Sequence, residues 1–462
     1  MSLTRKVSQR LTVILSSAAI WIGASLVHAD DWPQWRGPNR DGVWRETGII
    51  EKFDKPQLDI EWRAEIGPGY SGPTVANGRV YVTDRQTEPT QVERVLCFRA
   101  TDGKPLWSHT YDCPYEGISY TAGPRAAVTI DDGRAYSLGT MDNLFCFDAA
   151  TGNILWQKDL KKLYDATIPG WGIAAAPLVD ENRLILNVGG QHACLVALDK
   201  KTGDEIWKSL DDPAQYSAPI IVQQGSRPVL VIWTGIGVVG LDPATGTQLW
   251  REEMTPSHMP IGIATPVFDG QRLFVSSFYD GSLMLRLKTD EEGRPATQRL
   301  WRKVGPDEQK TESLHCMIGT PILEGNYVYG VDSYGQLRCL DADTGQRIWE
   351  SQKAVPKARW AAIHIVQLQN RLVMFNERGE LLFGRVSPTG FEELSRAKLI
   401  EPTTDQLNQR NGVCWSHPAF ANGHVYARND RELVSASLNR PQIPQGPQIE
   451  FDGQKVGSSP SD

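Results

Sequence analysis

Short runs of β-branched and aromatic residues recur along almost the whole chain. They include GRVYVTD at 78–84, NRLILNV at 182–188, QRLFVSS at 271–277, NYVYGVD at 326–332 and NRLVMFN at 370–376. Each run begins at an Asn, Gln or Gly, as strands do that follow a tight turn. No long stretch shows the 3.6-residue periodicity of an amphipathic helix. The pattern therefore predicts an all-β fold.

A second pattern, Asp-x-x-Thr-Gly-x-x-x-Trp, separates these runs. It is complete at 148–156, 199–207, 242–250 and 341–349, and the equivalent positions along the chain are 43 to 51 residues apart. The Asp, Thr and Gly residues suit a tight turn between two strands. A period of this length with four short strands is typical of a β-propeller blade.

The Trp of each repeat is predicted to begin the outermost strand of its blade. We expect its ring to cover the seam to the next blade and its indole N–H to bond a neighbouring backbone group. The repeat residues with this structural role are Gly152, Gly203, Gly246 and Gly345, with Trp62, Trp107, Trp156, Trp207, Trp250, Trp301 and Trp349.

Counting the repeats predicts an eight-bladed β-propeller of four-stranded blades, which spans residues 59–438. Residues 414–438 supply three strands but lack a turn and Trp of their own, whereas 59–67 reads as a lone outermost strand. We expect the N-terminal strand to complete the last blade, which closes the ring and leaves no free sheet edge. Residues 439–462 are rich in Pro, Gly, Gln and Ser and are predicted to be a flexible tail.

Residues 1–29 are predicted to be a signal peptide. Basic residues precede an apolar run from Leu11 to Val27, and small residues follow at a cleavage position ending in Ala29. An uncleaved membrane anchor is the alternative. After cleavage no segment is long and apolar enough to span a bilayer. The protein is therefore expected in the periplasm or outside the cell.

Residues 30–58 are predicted to form an N-terminal arm. The segment WPQWRGP at 32–38 contains two Trp residues and Arg36. We expect the arm to be pinned to the propeller flank, with Arg36 stacked on an indole. A free peptide is the alternative.

Charge and cysteine content narrow the function classes. The formal net charge of −7 gives no electrostatic support for a nucleic-acid partner. Seven cysteines make an odd count, which argues against a complete disulfide framework. Cys97, Cys146 and Cys339 occupy the same place in three repeats and are expected to be small buried residues. We expect a monomer.

The candidate ligand-binding site is the mouth of the central channel, where loops lead into each innermost strand. A recurring Pro aligns these loops, with Ile365 at its position in blade 7. The residue before this position is small in six blades but is His364 in blade 7 and His417 in blade 8. Imidazole binds metals and titrates near neutral pH, so this pair, with His315 as a third ligand, is a candidate metal site. In the alternative interpretation the pair only hydrogen-bonds across the blade seam.

The same loops are rich in aromatic residues. Trp360, Trp415 and Tyr216, with Arg359 beside them, could stack on a sugar, a flat ring or a peptide side chain, as could Tyr70, Tyr120 and Trp171. Plain loop packing is the alternative. No catalytic residue is predicted, because the chain contains no GxSxG, HExxH or phosphate-binding loop.

The Asp-x-x-Thr-Gly-x-x-x-Trp copies resemble the pyrroloquinoline-quinone-type repeat propellers, a family that includes quinoprotein alcohol dehydrogenases and BamB-like assembly proteins. DWPQWRGPNRDG at 31–42 and SHPAFANGHVYARND at 416–430 are similar to secreted planctomycete members of unknown activity. The dehydrogenases use an adjacent Cys-Cys pair against the quinone and calcium held by Glu, Asn and Asp. This chain has no adjacent cysteines. The resemblance therefore implies the fold, while pyrroloquinoline quinone and calcium are disfavoured and no cofactor is predicted.

Three function hypotheses follow from these observations. The first is an exported, non-catalytic propeller that binds an envelope protein or peptide, or a glycan, as an assembly scaffold similar to BamB. The second is an oxidoreductase dependent on pyrroloquinoline quinone. The third is a metal-dependent hydrolase or lyase at the channel mouth.

Overall fold

A computed structural model describes residues 30–441 of the chain, so the predicted signal peptide and most of the predicted tail lie outside the described residues. The strand β1 (Ile60–Glu65) comes first and is followed by the blades. Blade 1 contains β2 (Thr74–Ala76), β3 (Arg79–Gln86), β4 (Val92–Arg99) and β5 (Pro105–Asp112); blade 2 contains β6 (Thr129–Asp131), β7 (Arg134–Leu138), β8 (Asn143–Asp148) and β9 (Ile154–Asp159).

A helix of one turn, α1 (Leu160–Tyr164), leads from blade 2 to blade 3. Blade 3 contains β10 (Leu178–Asp180), β11 (Arg183–Gly190), β12 (Ala193–Asp199) and β13 (Glu205–Ser209); blade 4 contains β14 (Ile220–Gln224), β15 (Arg227–Trp233), β16 (Gly237–Leu241) and β17 (Gln248–Glu253). Blade 5 contains β18 (Val267–Phe268), β19 (Arg272–Ser277), β20 (Gly281–Thr289) and β21 (Pro295–Lys303).

The last three blades follow the same order of strands. Blade 6 contains β22 (Ile322–Glu324), β23 (Tyr327–Val331), β24 (Leu337–Asp341) and β25 (Arg347–Ser351); blade 7 contains β26 (Ile363–Leu368), β27 (Arg371–Asn376), β28 (Glu380–Ser387) and β29 (Gly390–Lys398); blade 8 contains β30 (Ala419–Ala421), β31 (His424–Arg428) and β32 (Glu432–Ser437). Within the described residues no helix is long and apolar enough to cross a membrane.

The ring closes through the N-terminal strand, which confirms the predicted eight-bladed architecture. The eighth sheet has the strand order β1-β32-β31-β30, and each of the other sheets is a four-stranded meander. In the closing pair, Trp62 lies opposite Ser435 and Glu65 opposite Glu432. The first strand and the last three therefore form one antiparallel sheet, and the two ends of the propeller are held together.

The repeat residues build the seams between blades. The indole N–H of Trp107 donates to the carbonyl oxygen of Ala149 in the turn of the next blade at 3.1 Å. The same turn contains Gly152 with φ 76°, and a Cβ atom added there would lie 2.5 Å from the Trp107 ring. Only glycine combines this left-handed conformation with such close contact. Equivalent carbonyl bonds join Trp62 to Ala100, Trp207 to Pro243, Trp301 to Ala342 and Trp349 to Ser387.

Two repeat tryptophans, Trp250 and Trp156, depart from this rule. The turn of blade 5 carries an insertion, and the indole of Trp250 donates instead to the side chain of Gln224 at 2.9 Å. The indole N–H of Trp156 has no protein acceptor. The carbonyl of Lys200, which occupies the equivalent place, accepts the hydroxyl of Tyr136 at 2.9 Å.

Three cysteines of the repeat lie directly across the sheet from repeat tryptophans. Cys97, Cys146 and Cys339 pair with Trp107, Trp156 and Trp349, and the three thiols are fully buried. All seven cysteines are unpaired within the described residues. The buried thiols lie against the large indoles, so these cysteines serve packing.

The arm crosses the face of the propeller opposite the mouth. Trp32 donates its backbone N–H to Val75 in β2 at 2.8 Å, and the carbonyl oxygens of Pro33 and Gly42 accept N–H groups of Ile130 and Gln367, both at 2.8 Å. These partners lie in innermost strands of blades 1, 2 and 7. Residues 32–44 therefore span the end of the channel, and their predicted position on the flank is wrong.

The second half of the arm does follow the flank of blades 7 and 8. Phe53 stacks on Phe383 with ring centroids 4.6 Å apart, and Ile50 donates to the carbonyl of Leu438 at 2.8 Å. Arg440, assigned to the tail by sequence, donates to the carbonyl of Gly48 at 2.7 Å. The ordered contacts of the chain thus extend slightly beyond the predicted domain end.

Candidate functional site

The channel mouth contains an apolar cavity of about 130 Å³. The loops before the innermost strands form its wall, and small side chains such as Ala127, Ala176 and Ala218 leave the space open. An engineered apolar cavity of about 150 Å³ binds benzene. A single six-membered ring therefore fits in this space, which is open toward the mouth.

Trp35 of the arm forms the floor of this cavity. Its indole N–H donates to the hydroxyl of Thr265 at 2.8 Å, and its ring meets that of His417 edge-on, with centroids 4.7 Å apart. A second, smaller cavity of about 30 Å³ lies on the other side of Trp35, next to Arg36. The arm therefore divides the channel, and the larger cavity opens toward the mouth.

Arg40 fixes the arm inside the channel. Its guanidinium donates to the carbonyl oxygens of Ala176, Pro177 and Pro219 in blades 3 and 4. Burial lowers the pKa of Arg40 to about 9. Arg36 donates to the carbonyl oxygens of Arg40 and Asp41, instead of stacking on an indole as predicted. Backbone dipoles of the blades therefore hold the arm in place.

His364 and His417 meet in the cavity wall, with ring centroids 6.2 Å apart. His364 donates through Nε2 to the carbonyl oxygen of Trp415 at 2.8 Å, whereas Nε2 of His417 has no protein partner. Burial lowers the pKa of His364 to about 4. Burial and the neighbouring His364 lower the pKa of His417 to about 3. Both rings are therefore neutral at pH 7.

The close packing around His417 depends on blade 1. A Cβ atom added at Gly72 would lie 2.0 Å from the carbonyl oxygen of His417 and 2.6 Å from its Nδ1 atom. The small residue before the recurring Pro in blade 1 therefore makes room for the large residue in blade 8.

His315 lies apart from this pair. Its Nδ1 donates to the carbonyl of Phe278 at 2.8 Å, and its Nε2 accepts the N–H of Gly305 at 3.4 Å. Residues 30–441 contain no group of three or more His, Cys, Asp or Glu placed to hold a metal. His315 is therefore not placed as a third ligand of the pair, because protein groups already contact both of its ring nitrogens.

The aromatic residues of the loops surround the opening as one connected group. Trp171 stacks on Tyr216 at 5.4 Å between centroids, and Tyr120 meets Trp171 and Trp360 edge-on at 5.5 and 5.9 Å. Trp360 lies 6.5 Å from Trp415. The residues named in this paragraph and Tyr70 all line the cavity.

Two of these rings are held by unusual backbone conformations. Tyr120 has φ 58° and Trp360 has φ 66°, in the left-handed region that large side chains rarely adopt. Such conformations cost about 1–3 kcal/mol each and cluster at ligand sites. The mouth therefore holds both rings in place at the expense of stability.

Arg359 does not line the cavity. Its guanidinium lies over the ring of Trp360 at 4.4 Å and is paired with Glu308 at 2.6 Å. The side chain is 41% exposed. Arg359 therefore supports the outer side of the Trp360 ring, and its charge is already compensated.

Arg125, which sequence reasoning missed, is the cation of the cavity wall. Its guanidinium lies 4.9 Å from the centre of the Tyr70 ring and donates to the carbonyls of Gly123 and Ser119. Burial lowers the pKa of Arg125. A signal was present, because Arg125 directly follows the recurring Pro of blade 2. Trp35 had no such signal.

Comparison with known proteins connects the fold to two groups of relatives. A family model described as outer membrane protein assembly factor BamB matches residues 91–351 and 300–443. The protein named 1-butanol dehydrogenase (quinone) of Thauera butanivorans is 30% identical over 173 residues, which is 34% of this chain and 26% of that protein. Outer membrane protein assembly factor BamB of Shewanella oneidensis is 24% identical over 222 residues, which is 47% of this chain and 54% of that protein.

The chain spans about a quarter and about half of the lengths of these two relatives. Among solved structures, a europium-containing methanol dehydrogenase superimposes with a TM-score of 0.62 at 13% identity, over 87% of this chain and 90% of that one. At this identity the likeness shows the fold alone.

Proposed function

Because the chain belongs to the family of outer membrane protein assembly factor BamB, we propose that it is an exported, non-catalytic binding propeller of the cell envelope. In this proposal it receives one ring-shaped group of a partner at the mouth of its channel. The observation that carries the proposal is the cavity of about 130 Å³, which has aromatic walls and the indole of Trp35 as its floor.

The fixed geometry of the cavity supports recognition of a ring. Trp171 and Tyr216 are stacked on each other, and Trp360 is held between Arg359 and the neighbouring rings. Rigid aromatic walls bind a flat or apolar ring with little loss of conformational entropy. A protein or peptide that presents an aromatic side chain is the partner we favour, with a glycan as the alternative.

The quinone dehydrogenases among the relatives suggest a redox function, but the cavity does not fit pyrroloquinoline quinone. That cofactor carries three carboxylates, whereas Arg125 is the one cation among the described residues that line the cavity. The chain has no adjacent cysteines, and the described residues contain no cluster of acidic ligands for calcium. These observations support a function without this cofactor.

The metal-dependent alternative has less support than binding. His364 and His417 are two imidazoles without a third ligand among the residues that the structure describes. Elemental analysis of the purified protein and of the His364→Ala/His417→Ala variant tests this alternative. A stoichiometric metal in the wild type that is lost in the variant would establish the metal site and overturn the proposal of a simple binding cavity.

The proposal is tested by filling the cavity. Ala174 lines it and is partly buried, so an Ala174→Phe substitution places a ring inside the space at small cost to the core. Saturation-transfer NMR should detect phenyl and benzyl compounds on the wild type but not on this variant. Ala244→Phe, on an exposed turn of blade 4, is the matched control and should bind like the wild type.

Three further outcomes refine or reject the proposal. Equal binding by wild type and Ala174→Phe would show that the rings bind elsewhere. Binding of methyl glycosides in preference to phenyl compounds would favour a glycan partner. Export, which rests on the pattern of residues 1–29, predicts a mature protein in the envelope fraction that begins at Asp30.

A further inference from the structure

Two of the residues that line the channel-mouth cavity, Trp360 and Tyr216, offer hydrogen-bond donors. The indole N–H of Trp360 is buried and has no acceptor in the protein. The hydroxyl oxygen of Tyr216 accepts the backbone N–H of Trp171 at 3.3 Å, which leaves its own proton free to donate. A buried donor without an acceptor is costly, so a guest that supplies an acceptor gains affinity here.

The charge of the cavity wall is positive. Arg125 donates to carbonyl oxygens, and no ion pair is formed by its guanidinium within the described residues. The nearby carboxylate of Glu93 is occupied by the hydroxyls of Tyr111 and Tyr115. Among the described residues that line the cavity, none is Asp or Glu. An anionic guest therefore meets a cation and no carboxylate in the lining, while the nearby Glu93 offsets part of the charge of Arg125.

The two histidines do not cancel this preference. His364 and His417 are neutral at pH 7 and contribute no negative charge to the wall. The rest of the lining is apolar or aromatic. The cavity thus combines space for one ring with a donor-rich, positively charged wall.

We propose that the guest is a monocyclic aromatic ring that carries a carboxylate. The ring occupies the space above Trp35, and the carboxylate accepts hydrogen bonds from Trp360 and Tyr216 beside Arg125. This inference rests on the proposed function and specifies the ligand class of the same cavity. The shared chemistry has two sources, a free aromatic acid and an aromatic residue at the end of a peptide.

Matched ligands test the inference on the mature chain. Phenylacetate and phenylacetamide differ in charge but have the same ring and nearly the same shape. We expect phenylacetate to bind about tenfold more tightly or better in calorimetric titrations, since a hydrogen bond to a charged group contributes more than a neutral one. Acetate, which lacks the ring, should not compete.

Variants assign the preference to the named donors. Trp360→Phe keeps a ring but removes the N–H, and it should reduce the ratio of the two affinities severalfold. Arg125→Met should reduce this affinity ratio further. Arg125→Lys retains a cation and should keep most of the ratio, so it tests the role of the charge even if Arg125→Met fails to fold. Thr245→Ala, on the exposed turn of blade 4, is the control and should leave the ratio unchanged.

The outcomes separate this inference from the proposed function. Equal binding of phenylacetate and phenylacetamide would overturn the carboxylate preference while leaving ring binding intact. Absence of binding by every ring compound would overturn both. Displacement of phenylacetate by acetate at equal concentration would overturn the ring requirement. N-acetylphenylalanine mimics the end of a peptide, whereas phenylacetate is a free aromatic acid. If both compounds bind, the inference is supported, and the tighter of the two identifies the source.

Discussion

The neutral pair His364 and His417 should make the stability of this protein sensitive to acid, and replacing both residues by Gln should remove that sensitivity. Burial holds the pKa values of the folded protein at about 4 and about 3, below the ordinary 6.5. At a pH between the folded pKa values and 6.5, the unfolded chain binds protons that the folded chain does not. Stability therefore falls as the pH is lowered from about 6.5 toward the folded pKa values.

The size of the effect follows from the same numbers. A pH of 5 lies about 1.5 units below the pKa of each imidazole in the unfolded chain, while both rings of the folded chain are still neutral. At about 1.4 kcal/mol per unit, each histidine lowers the free energy of unfolding by about 2 kcal/mol, and the pair by about 4 kcal/mol. This is a large share of the ~5–15 kcal/mol that stabilises a typical domain.

Urea unfolding at pH 8 and pH 5 measures the prediction. The wild type should lose about 4 kcal/mol more than the variant His364→Gln/His417→Gln, in which the amide of residue 364 can still donate to the carbonyl of Trp415. His192→Gln is the control, because the side chain of His192 is 70% exposed. It should lose stability like the wild type. Equal losses in the wild type and the double variant would refute a dry, neutral pair.

Further predictions concern the arm, a buried acid and a seam. Trp35→Ala removes the cavity floor, so the pKa of His417 should rise from about 3 toward 6.5 in an NMR titration; no change would mean that other groups exclude water. Asp142 is buried with both carboxylate oxygens unpartnered, and burial raises its pKa. Asp142→Asn should therefore stabilise the protein by about 1–3 kcal/mol at pH 7 in urea unfolding, with a gain that shrinks as the pH falls; destabilisation would contradict this. Trp301→Ala should cost about 3–5 kcal/mol by the same assay, and a loss below 1 kcal/mol would show that the seam does not depend on it.

The blades could be predicted from the sequence because the residues that form each turn lie close together along the chain. Asp148, Thr151 and Gly152 form a turn whose bonds lie within four residues, since Asp148 accepts from the backbone and hydroxyl of Thr151, both at 2.8 Å. The Trp that covers the next turn recurs at a nearly constant distance along the chain. Local spacing of this kind is visible in one sequence without any knowledge of the fold.

The position of the arm could not be predicted in the same way. Its contacts join residues 32–44 to innermost strands and the loops before them, which lie tens to hundreds of residues away, such as Trp35 with Thr265. Nothing in the segment WPQWRGP distinguishes a Trp that enters a channel from one that lies on a flank. The bond of Arg40 to three carbonyls is equally non-local, because it requires blades 3 and 4 to be in place.

The candidate site was visible only in part for a related reason. The recurring Pro aligns the mouth loops and so identifies His364, His417 and the aromatic residues around them. The state of each side chain depends on distant partners. Glu308 pairs with Arg359 from another loop, whereas Arg125 donates to carbonyl oxygens of its own loop. Charge balance of this kind is a property of the folded mouth.

The repeat and the arm determine different parts of this structure. The repeat sets the ring of blades through Trp, Gly and Asp residues that face the seams and turns, away from the channel axis. The space on the axis is set instead by residues outside the repeat pattern: Trp35 and Arg40 from the arm, and Arg125 and Trp360 from the mouth loops. Changes in the arm or in these loops can therefore alter the cavity without disturbing the seams. The ligand that the cavity accepts should therefore depend on the arm and the mouth loops. Trp35→Ala, which removes the cavity floor, tests this dependence most directly.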